Sequence, residues 1–498
     1  MRRGHDGSRG DRSGAGGRNG SSACGMHPAS QCARGLFMRR RMPYNAKRLR
    51  DERKRDASDA GPIVPTARPP MRRNPEPGAD VQLCRLENGL TVLSEAMPQL
   101  RSVSLGIWVI GGSRFEPPHL HGVSHFIEHL LFKGTTRRSA RAIARAIDSV
   151  GGQLDAFTDK EYVGLYARVI DRHLAHAFEI LSDIVLHPTF PPAEIERERN
   201  VIVEEINTIE DSPQDLVHDL YLESFWPDHP LGRPVSGSKA SVAGIRRRDI
   251  LEFFRRHYTA RNMVLAAAGN IRHREVRDLA ARHFGPLAPG APADFGPPPA
   301  VRPGRRLRRK NNLEQVHLCL GVPCPPLLSE DRYCAHLLCT ILGGGISSRL
   351  FQNIREKRGL VYSIESTVNL YRDAGTLAVS AAAAPGAAAR VVELVMKELR
   401  RLIRHPVSGE ELERGKQFVQ GSLLLGLESS SSRMSHLAQH YIYFGRIFRL
   451  GEVLRSLESV GAAQLRRLAG EIFRPGSIHL AALGDHDPRE LESLDLEV

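Results

Sequence analysis

The chain from about residue 81 to 285 alternates between two hydrophobic periods. Short runs with a two-residue period predict β-strands, and longer runs with apolar residues every three to four positions predict amphipathic helices. The predicted strands are 81–97 (interrupted by an Asn88-Gly89 turn), 102–111, 153–158, 162–169 and 263–268. The predicted helices are 122–132, 139–150, 171–187, 191–210, 213–224, 246–257 and 273–284. This mixture indicates the α+β class.

The remainder of the chain repeats a similar order of elements after a Pro/Gly/Ala-rich stretch at 286–304, which predicts a linker. Its predicted strands are 316–322, 361–371, 375–382 and 478–483, and its predicted helices are 330–342, 347–358, 387–404, 409–427 and 430–443. The repeated order predicts a duplicated unit. We expect two homologous domains, an N-terminal half at 81–285 and a C-terminal half at 305–498. Each should be a mostly antiparallel sheet with helices packed on one face.

Residues 1–80 lack hydrophobic periodicity and are rich in Gly, Ser, Arg and Pro, which predicts a disordered basic tail and linker. They hold 18 Lys/Arg and 8 Asp/Glu, so +10 of the net charge of +14 belongs to them. Residues 81–498 hold 52 Lys/Arg and 48 Asp/Glu and are nearly neutral. Because only two aromatic residues, Phe37 and Tyr44, lie among the basic ones, we expect no specific binding of nucleic acid.

No run approaches the roughly 18 uninterrupted apolar residues of a membrane helix, so no membrane span is expected. The seven cysteines form no CxxC pair, and several fall in apolar segments, which favours buried reduced thiols. A reducing compartment fits this usage. We therefore expect the cytoplasm, with the mitochondrial matrix as an alternative.

The run His125-Phe-Ile-Glu128-His129 carries the candidate chemistry. Two histidines four positions apart lie about 40° apart on one helical face, which places both imidazoles within reach of one ion. Glu128 lies beside the second histidine and could serve as the base for a metal-bound water. An amphipathic helix with exposed histidines is the alternative. Apolar residues on both sides argue for a buried helix, in which polar groups need a shared partner.

A catalytic zinc site needs a third protein ligand, and the helix predicted at 191–210 is rich in glutamate. Glu198 and Glu205 are seven positions apart and share one helical face, whereas Glu204 points about 100° away from Glu205. Glu205 could bind the metal, with Glu198 supporting the site from the same side. A solvated acidic face explains the same pattern, and the spacing alone does not choose between the two.

Four stretches together resemble the pitrilysin family, in its mitochondrial processing peptidase branch and its short bacterial relatives. The first contains the inverted HxxEH motif, which is the inverzincin signature. The stretches are 122–135, 151–158, 194–206 with 210–213, and 348–363, in that order along the chain. The likeness covers about 82–498.

The resemblance implies one zinc ion per chain, with His125, His129 and Glu205 as ligands. Glu128 then matches the general base, and Glu198 a further carboxylate that supports activity. Arg355 and Tyr362 match a pair from the C-terminal half that binds substrate and supports the transition state. The segment Asp155, Ala156 and Phe157 matches the strand to which substrate is added as an extra β-strand. Many relatives have Asn at the position of Asp155.

The expected function is that of a zinc metalloendopeptidase acting on unfolded or extended polypeptides. The family's working unit has four such domains, so the resemblance implies pairing with a second chain, most simply as a homodimer. The alternative within the family is a non-catalytic structural subunit. A third interpretation, a basic nucleic-acid-binding protein, rests on the tail alone.

Overall fold

A computed structural model of the protein describes residues 81–498, so the predicted disordered tail lies outside the described residues. The strands are β1 Val81–Arg85, β2 Thr91–Ala96, β3 Ser102–Val109, β4 Gln153–Thr158, β5 Val163–Ile170, β6 Met263–Gly269, β7 Gly304–Arg309, β8 Val316–Pro323, β9 Val361–Leu370, β10 Gly375–Ala383 and β11 His479–Gly484. They form two separate sheets.

The helices of the N-terminal half are α1 Val123–Leu131, α2 Ala140–Asp148, α3 Leu174–Leu186, α4 Pro192–Asp211, α5 Pro213–Phe225, α6 Lys239–Gly244, α7 Arg247–His257 and α8 His273–Phe284. Those of the C-terminal half are α9 Arg332–Gly343, α10 Ala388–Arg404, α11 Gly409–Gly426, α12 Ser430–Phe444, α13 Leu450–Glu458, α14 Ala462–Ile472 and α15 Pro488–Glu492. None of the helices between residues 81 and 498 combines the length and apolar character needed to cross a bilayer.

The first sheet has the strand order β1-β2-β6-β3-β5-β4, in which only the β2–β6 pair is parallel. One face packs against α1, α3 and α8, and α7 packs on α1, around a core that includes Leu105, Phe126 and Phe178. The strand β4 lies at the edge of the sheet. Its outer backbone groups are therefore available to another strand.

The second sheet has the order β7-β11-β8-β10-β9, and only the β7–β11 pair is parallel. One face packs against α9 and α10, and α14 packs on these two helices, around Leu337, Val392 and Leu468. Both sheets are thus mostly antiparallel with helices packed against them. This confirms the predicted α+β class.

The second face of each sheet is covered by a helix from the other half. The helix α5 places Leu216, Val217 and Tyr221 against the sheet of the C-terminal half. The helix α12 places Met434, Leu437 and Ile442 against the sheet of the N-terminal half, over Trp108. The sequence predicted helices on one face of each sheet alone. In the structure, α5 and α12 also cover the apolar second faces. The two halves therefore share the clusters on these second faces, whereas the core on the first face of each sheet belongs to one half.

Several elements differ from the sequence prediction. The strand β7, with the sequence GRRLRR, was not predicted, because a sheet-edge strand with polar side chains has no apolar alternation; its first residue, Gly304, fell in the predicted linker. The helix expected at 347–358 contains a π-helical turn, Phe351–Glu356. Three C-terminal helices, α13, α14 and α15, and the short α6 were not predicted.

Candidate metal centre

The residue that precedes α1 is Gly122, whose φ of 94° is a left-handed conformation that favours glycine. A Cβ at Gly122 would also lie 2.7 Å from the carbonyl oxygen of Ser236. The buried carboxylate of Glu116 accepts hydrogen bonds from the backbone N–H groups of Gly122 (2.7 Å) and Ser124 (2.8 Å). It thereby caps a helix start that has no side-chain cap of its own. Burial raises the pKa of Glu116 to about 7, against the effect of these bonds.

The predicted metal ligands converge where α1 packs against α4. The Nε2 atoms of His125 and His129 lie 3.7 and 3.5 Å from Oε2 of Glu205, and the two imidazole rings are 4.6 Å apart. One ligand atom from each residue lies within 4.8 Å of the others. Among residues 81–498, this is the group of His, Cys, Asp and Glu side chains that could share one ion. Two imidazoles and a carboxylate suit zinc.

The carboxylate of Glu198 holds the second histidine in position. Its Oε2 lies 3.1 Å from Nδ1 of His129, and its Oε1 pairs with Nζ of Lys133 at 2.7 Å. A hydrogen bond at Nδ1 leaves Nε2 of His129 free to face the ion and fixes the tautomer. Lys133, two residues after the end of α1, was not predicted.

The charges of the cluster are consistent with a bound cation. Burial, and then the nearby His129, lower the pKa of His125 to about 4, so this imidazole is neutral and can donate its lone pair. Burial acts against protonation of His129 as well. Its bonds to Glu198 and Glu205 outweigh that effect and raise its pKa to about 9. The carboxylates of Glu198 and Glu205 thus stabilise a positive charge on His129. A divalent ion at the site would replace the proton that carries this charge.

The carboxylate of Glu128 is oriented by a residue that the sequence analysis did not identify. The hydroxyl of Thr158, the last residue of β4, donates to Oε2 of Glu128 at 2.6 Å. Burial raises the pKa of Glu128, against the effect of this bond. The side chain is therefore a partly buried carboxylate with one oxygen engaged. Thr158 closes the stretch 151–158 that carries the family resemblance, and that was its sequence signal.

The predicted substrate strand is β4, and the alternation along it separates its side chains. Leu154 and Ala156 pack on the side of the α1 layer. Asp155 and Phe157 lie on the other face, where Asp155 accepts a hydrogen bond from the hydroxyl of Tyr166 at 3.1 Å. The ring of Phe157 covers Gly164, where a Cβ would lie 2.5 Å from that ring. These side chains support the edge strand, and its free backbone edge remains the predicted substrate contact.

Arg355 and Tyr362 lie together in the C-terminal half. The guanidinium carbon of Arg355 is 5.6 Å from the ring of Tyr362 and 4.5 Å from that of Phe351. Tyr362, on the sheet-edge strand β9, is 77% exposed. In the described part of the chain, hydrogen bonds and ion pairs connect neither residue to the His125, His129 and Glu205 cluster. The structure pairs these two residues and leaves them apart from that cluster.

Comparison with known proteins identifies the family of this chain. Residues 91–239 match the model described as insulinase (peptidase family M16), and residues 244–419 match the one described as peptidase M16 inactive domain. A protein named uncharacterised zinc protease from Bacillus subtilis (strain 168) is 37% identical over 387 residues, covering 78% of this chain and 94% of that protein. The chain belongs to peptidase family M16. This confirms the resemblance to the pitrilysin family.

Further relatives agree with the M16 assignment. A protein named uncharacterised zinc protease from Mycobacterium tuberculosis (strain H37Rv) is 39% identical over 431 residues, covering 84% of this chain and 96% of its own. Among solved structures, the M16 inactive domain from Pseudomonas fluorescens matches with a TM-score of 0.76 at 20% identity, covering 81% of this chain and 97% of that one. A protease from Helicobacter pylori matches with a TM-score of 0.74 at 21% identity, covering 81% and 99%. The two structures support the fold.

The two M16 matches divide the predicted site residues between them. The metal cluster, Glu128, Glu198 and the edge strand all fall in the M16 match at 91–239, whereas Arg355 and Tyr362 fall in the match at 244–419. The description "inactive domain" therefore applies to a segment that does not contain the cluster. Family membership and the zinc proteases among the relatives support a metallopeptidase.

Proposed function

We propose that this M16 chain is a zinc-dependent endopeptidase that hydrolyses internal bonds of unfolded or extended polypeptides. The observation that carries the proposal is the convergence of His125, His129 and Glu205 within 4.8 Å, with Glu128 on the same short helix as the two histidines. This set contains three ligands and a separate carboxylate base, which is the composition of a catalytic rather than a structural zinc site.

Each residue has a distinct part in the proposed reaction. One zinc ion per chain, held by His125, His129 and Glu205, would lower the pKa of a water molecule and polarise the scissile carbonyl. Glu128 accepts the proton of the attacking water and passes it to the leaving amine. Its raised pKa, caused by burial, makes it a better proton acceptor than an exposed carboxylate. Glu198 keeps His129 oriented throughout.

The substrate class follows from the edge strand. A polypeptide that adds to β4 as a further strand must present several consecutive backbone N–H and C=O groups, which an intact helix or an internal strand cannot do. The backbone of Asp155, Ala156 and Phe157 provides the partner groups in this proposal. We therefore propose that unfolded or short extended chains are cleaved and that tightly folded ones resist cleavage.

The proposed working unit is a homodimer. Tyr362 is exposed and separated from the metal cluster, so it remains accessible for contact with a substrate enclosed between two copies. In that role its hydroxyl would donate a hydrogen bond to the developing oxyanion, and Arg355 beside it would bind the substrate. Light scattering of the purified protein should give twice the chain mass of 55.2 kDa. A monomer that cleaves at full rate would contradict this part of the proposal.

A non-catalytic structural subunit is the second candidate. It is favoured by the description of the C-terminal match and of the Pseudomonas fluorescens structure as an inactive domain. Against it stands the complete set of ligands and base in the N-terminal half. A purified protein that binds zinc without cleaving any peptide from an unbiased library would favour this candidate.

Removal of the metal is the direct test of the proposed function. We expect one zinc ion per chain by elemental analysis, and loss of cleavage of a quenched fluorescent peptide after dialysis against a chelator. Adding back zinc should restore the rate, because the ligands belong to two packed helices that remain folded around the site. A wild-type protein without zinc, or one whose cleavage resists the chelator, would contradict the proposal.

We expect Glu198→Gln to weaken zinc binding about 10- to 100-fold, the effect typical of losing a carboxylate that orients a ligand histidine. The substitution keeps the side-chain volume but removes the charge that faces His129 and Lys133. The measurement is a competition titration against a fluorescent zinc chelator. Glu196→Gln, on the exposed face of the same helix, is the matched control and should leave the affinity unchanged. Equal affinities for the two variants would show that Glu198 does not support the metal.

A further inference from the structure

The turn that joins β4 to β5, residues 159–162, connects the carboxylate of Glu128 to the C-terminal half of the chain. At its start, the hydroxyl of Thr158 donates to Oε2 of Glu128 at 2.6 Å. This bond occupies one carboxylate oxygen and fixes the rotation of the group, which leaves the other oxygen for the attacking water. A displacement of this turn would therefore displace the carboxylate.

The turn is packed tightly against the segment that follows β3. The backbone N–H groups of Ser113 and Arg114 donate to the carbonyl oxygens of Asp159 (3.2 Å) and Lys160 (2.7 Å). Gly112 makes this approach possible, because a Cβ there would lie 2.2 Å from the carbonyl oxygen of Asp159. The position of the turn is thus determined by its contacts with residues 112–114 and not only by its own two strands.

A buried group of charges, the Arg114 cluster (Arg114, Glu161 and Asp373), ties this turn to the other half. The Arg114 and Glu161 side chains are each 1% exposed and form an ion pair at 2.7 Å. Arg114 also donates to both carboxylate oxygens of Asp373, each at 2.6 Å, and from Nε to the carbonyl oxygen of Phe295 at 3.0 Å. Asp373 lies in the turn between β9 and β10, where the backbone N–H of Arg372 donates to Glu161 at 3.1 Å.

Removing one member of the Arg114 cluster is costly in free energy. A buried charge that loses its partner keeps its desolvation cost without compensation, so Arg114 and Glu161 depend on each other. A continuous chain of contacts therefore runs from Asp373 through Arg114 and Glu161 to the turn, and from Thr158 to Glu128. The strand β9, which carries Tyr362 near its start, leads into the same turn that holds Asp373.

We propose that the Arg114 cluster and Thr158 are positioning residues for the catalytic base, so that Glu128 is held in place only while the turn between β9 and β10 is seated on the turn between β4 and β5. This inference rests on the proposed role of Glu128 in hydrolysis. The contact between these two turns then controls the rate of the chemical step. A change at the surface of the C-terminal half is transmitted through this contact to Glu128 at the zinc site.

The test compares isosteric substitutions at two buried carboxylates that each bond to the C-terminal half, Glu161 to the backbone N–H of Arg372 and Glu95 to the guanidinium of Arg433. Glu161→Gln neutralises the partner of Arg114, and Glu95→Gln neutralises the partner of Arg433, which lies 2.8 Å from Glu95 and joins β2 to α12. Glu161 belongs to the turn between β4 and β5, whereas Glu95 lies on β2. For Glu161→Gln we expect kcat for a fluorogenic peptide to fall between about tenfold and a hundredfold, with KM and zinc content unchanged. Glu95→Gln should lower the melting temperature and leave kcat unchanged.

A second pair of variants covers the case in which Glu161→Gln does not fold. Thr158→Val removes the hydroxyl at nearly constant volume and should lower kcat, whereas Thr158→Ser keeps the hydroxyl and should restore it. If both single variants fold, the double variant Thr158→Val with Glu161→Gln should lose less kcat than the product of the two single losses, because both substitutions act through the same contact with Glu128.

The outcomes separate this proposal from the proposed function. Absence of zinc-dependent cleavage by the wild-type protein would overturn the function itself. Normal wild-type cleavage with equal kcat for Glu161→Gln and Glu95→Gln would overturn the positioning role alone. A Thr158→Ser variant as slow as Thr158→Val would likewise overturn it, since the hydroxyl would then have no part.

Discussion

Replacing Glu128 with glutamine should lower kcat for peptide hydrolysis by about 10²- to 10⁴-fold, the usual contribution of a general base. Glutamine has the same shape, and its amide oxygen can still accept the hydrogen bond from Thr158. It cannot accept a proton from the attacking water. Because Glu128 is not among the three ligand residues, zinc content should remain at one ion per chain. Stopped assays with a quenched fluorescent peptide, together with elemental analysis, measure both quantities.

The matched control for this variant is Glu204→Gln. Glu204 is adjacent in sequence to the ligand Glu205 but is exposed on another side of α4. Glu204→Gln removes one negative charge close to the site, as Glu128→Gln does. Because it is a surface substitution, kcat should stay within about twofold of the wild type. A Glu128→Gln variant that keeps more than a tenth of the wild-type kcat would mean that another group accepts the proton.

The ligand geometry was predictable because helical spacing is a strong constraint. His125 and His129 face one side of α1, and Glu198 and Glu205 face one side of α4, as their separations of four and seven residues require. The residues that support them were not predictable in this way. Glu116, Thr158 and Lys133 act through contacts between elements, and the first two come from a loop and a strand end. No periodicity connects such positions to the helix they support.

Most strands and helices followed from hydrophobic periodicity, but the pairing of helices with sheets did not. The apolar stripe of α12, which includes Met434, Leu437 and Ile442, shows that one face is buried and does not specify against which sheet. The same holds for α5. Packing each helix on the sheet of its own half is the simplest expectation. This expectation was wrong here, because the second face of each sheet is also apolar and is buried by a helix from the other half.

The exchange of these helices makes the stability of the two halves interdependent. Tyr221 on α5 is the clearest case: it is 2% exposed, and its hydroxyl lies 2.5 Å from Oγ1 of Thr376 on β10. Its hydroxyl also occupies the space above Gly321, where a Cβ would lie 2.1 Å away. Since this side chain belongs to the N-terminal half but fills the core of the other sheet, its loss should weaken both.

We expect Tyr221→Ala to lower the free energy of unfolding by about 3–5 kcal/mol, the range for removing a large buried aromatic side chain. Tyr221→Phe should cost only about 1 kcal/mol, because Thr376 keeps a hydrogen bond to the carbonyl oxygen of Val322. Urea titrations measure these values, with Trp226 and Trp108 as fluorescent reporters. Trp226 packs against Tyr371, and Trp108 lies beneath α12.

The exposed residue Glu223 on the same helix supplies the control, and Glu223→Ala should change the free energy by less than about 0.5 kcal/mol. In Tyr221→Ala, fluorescence and far-ultraviolet circular dichroism should still report one shared transition, shifted to lower urea. Two separated transitions, with one sheet unaffected, would show that the halves unfold independently. In that case the exchanged helices would not couple them, and a signal passed between the halves would have to rely on the Arg114 cluster alone.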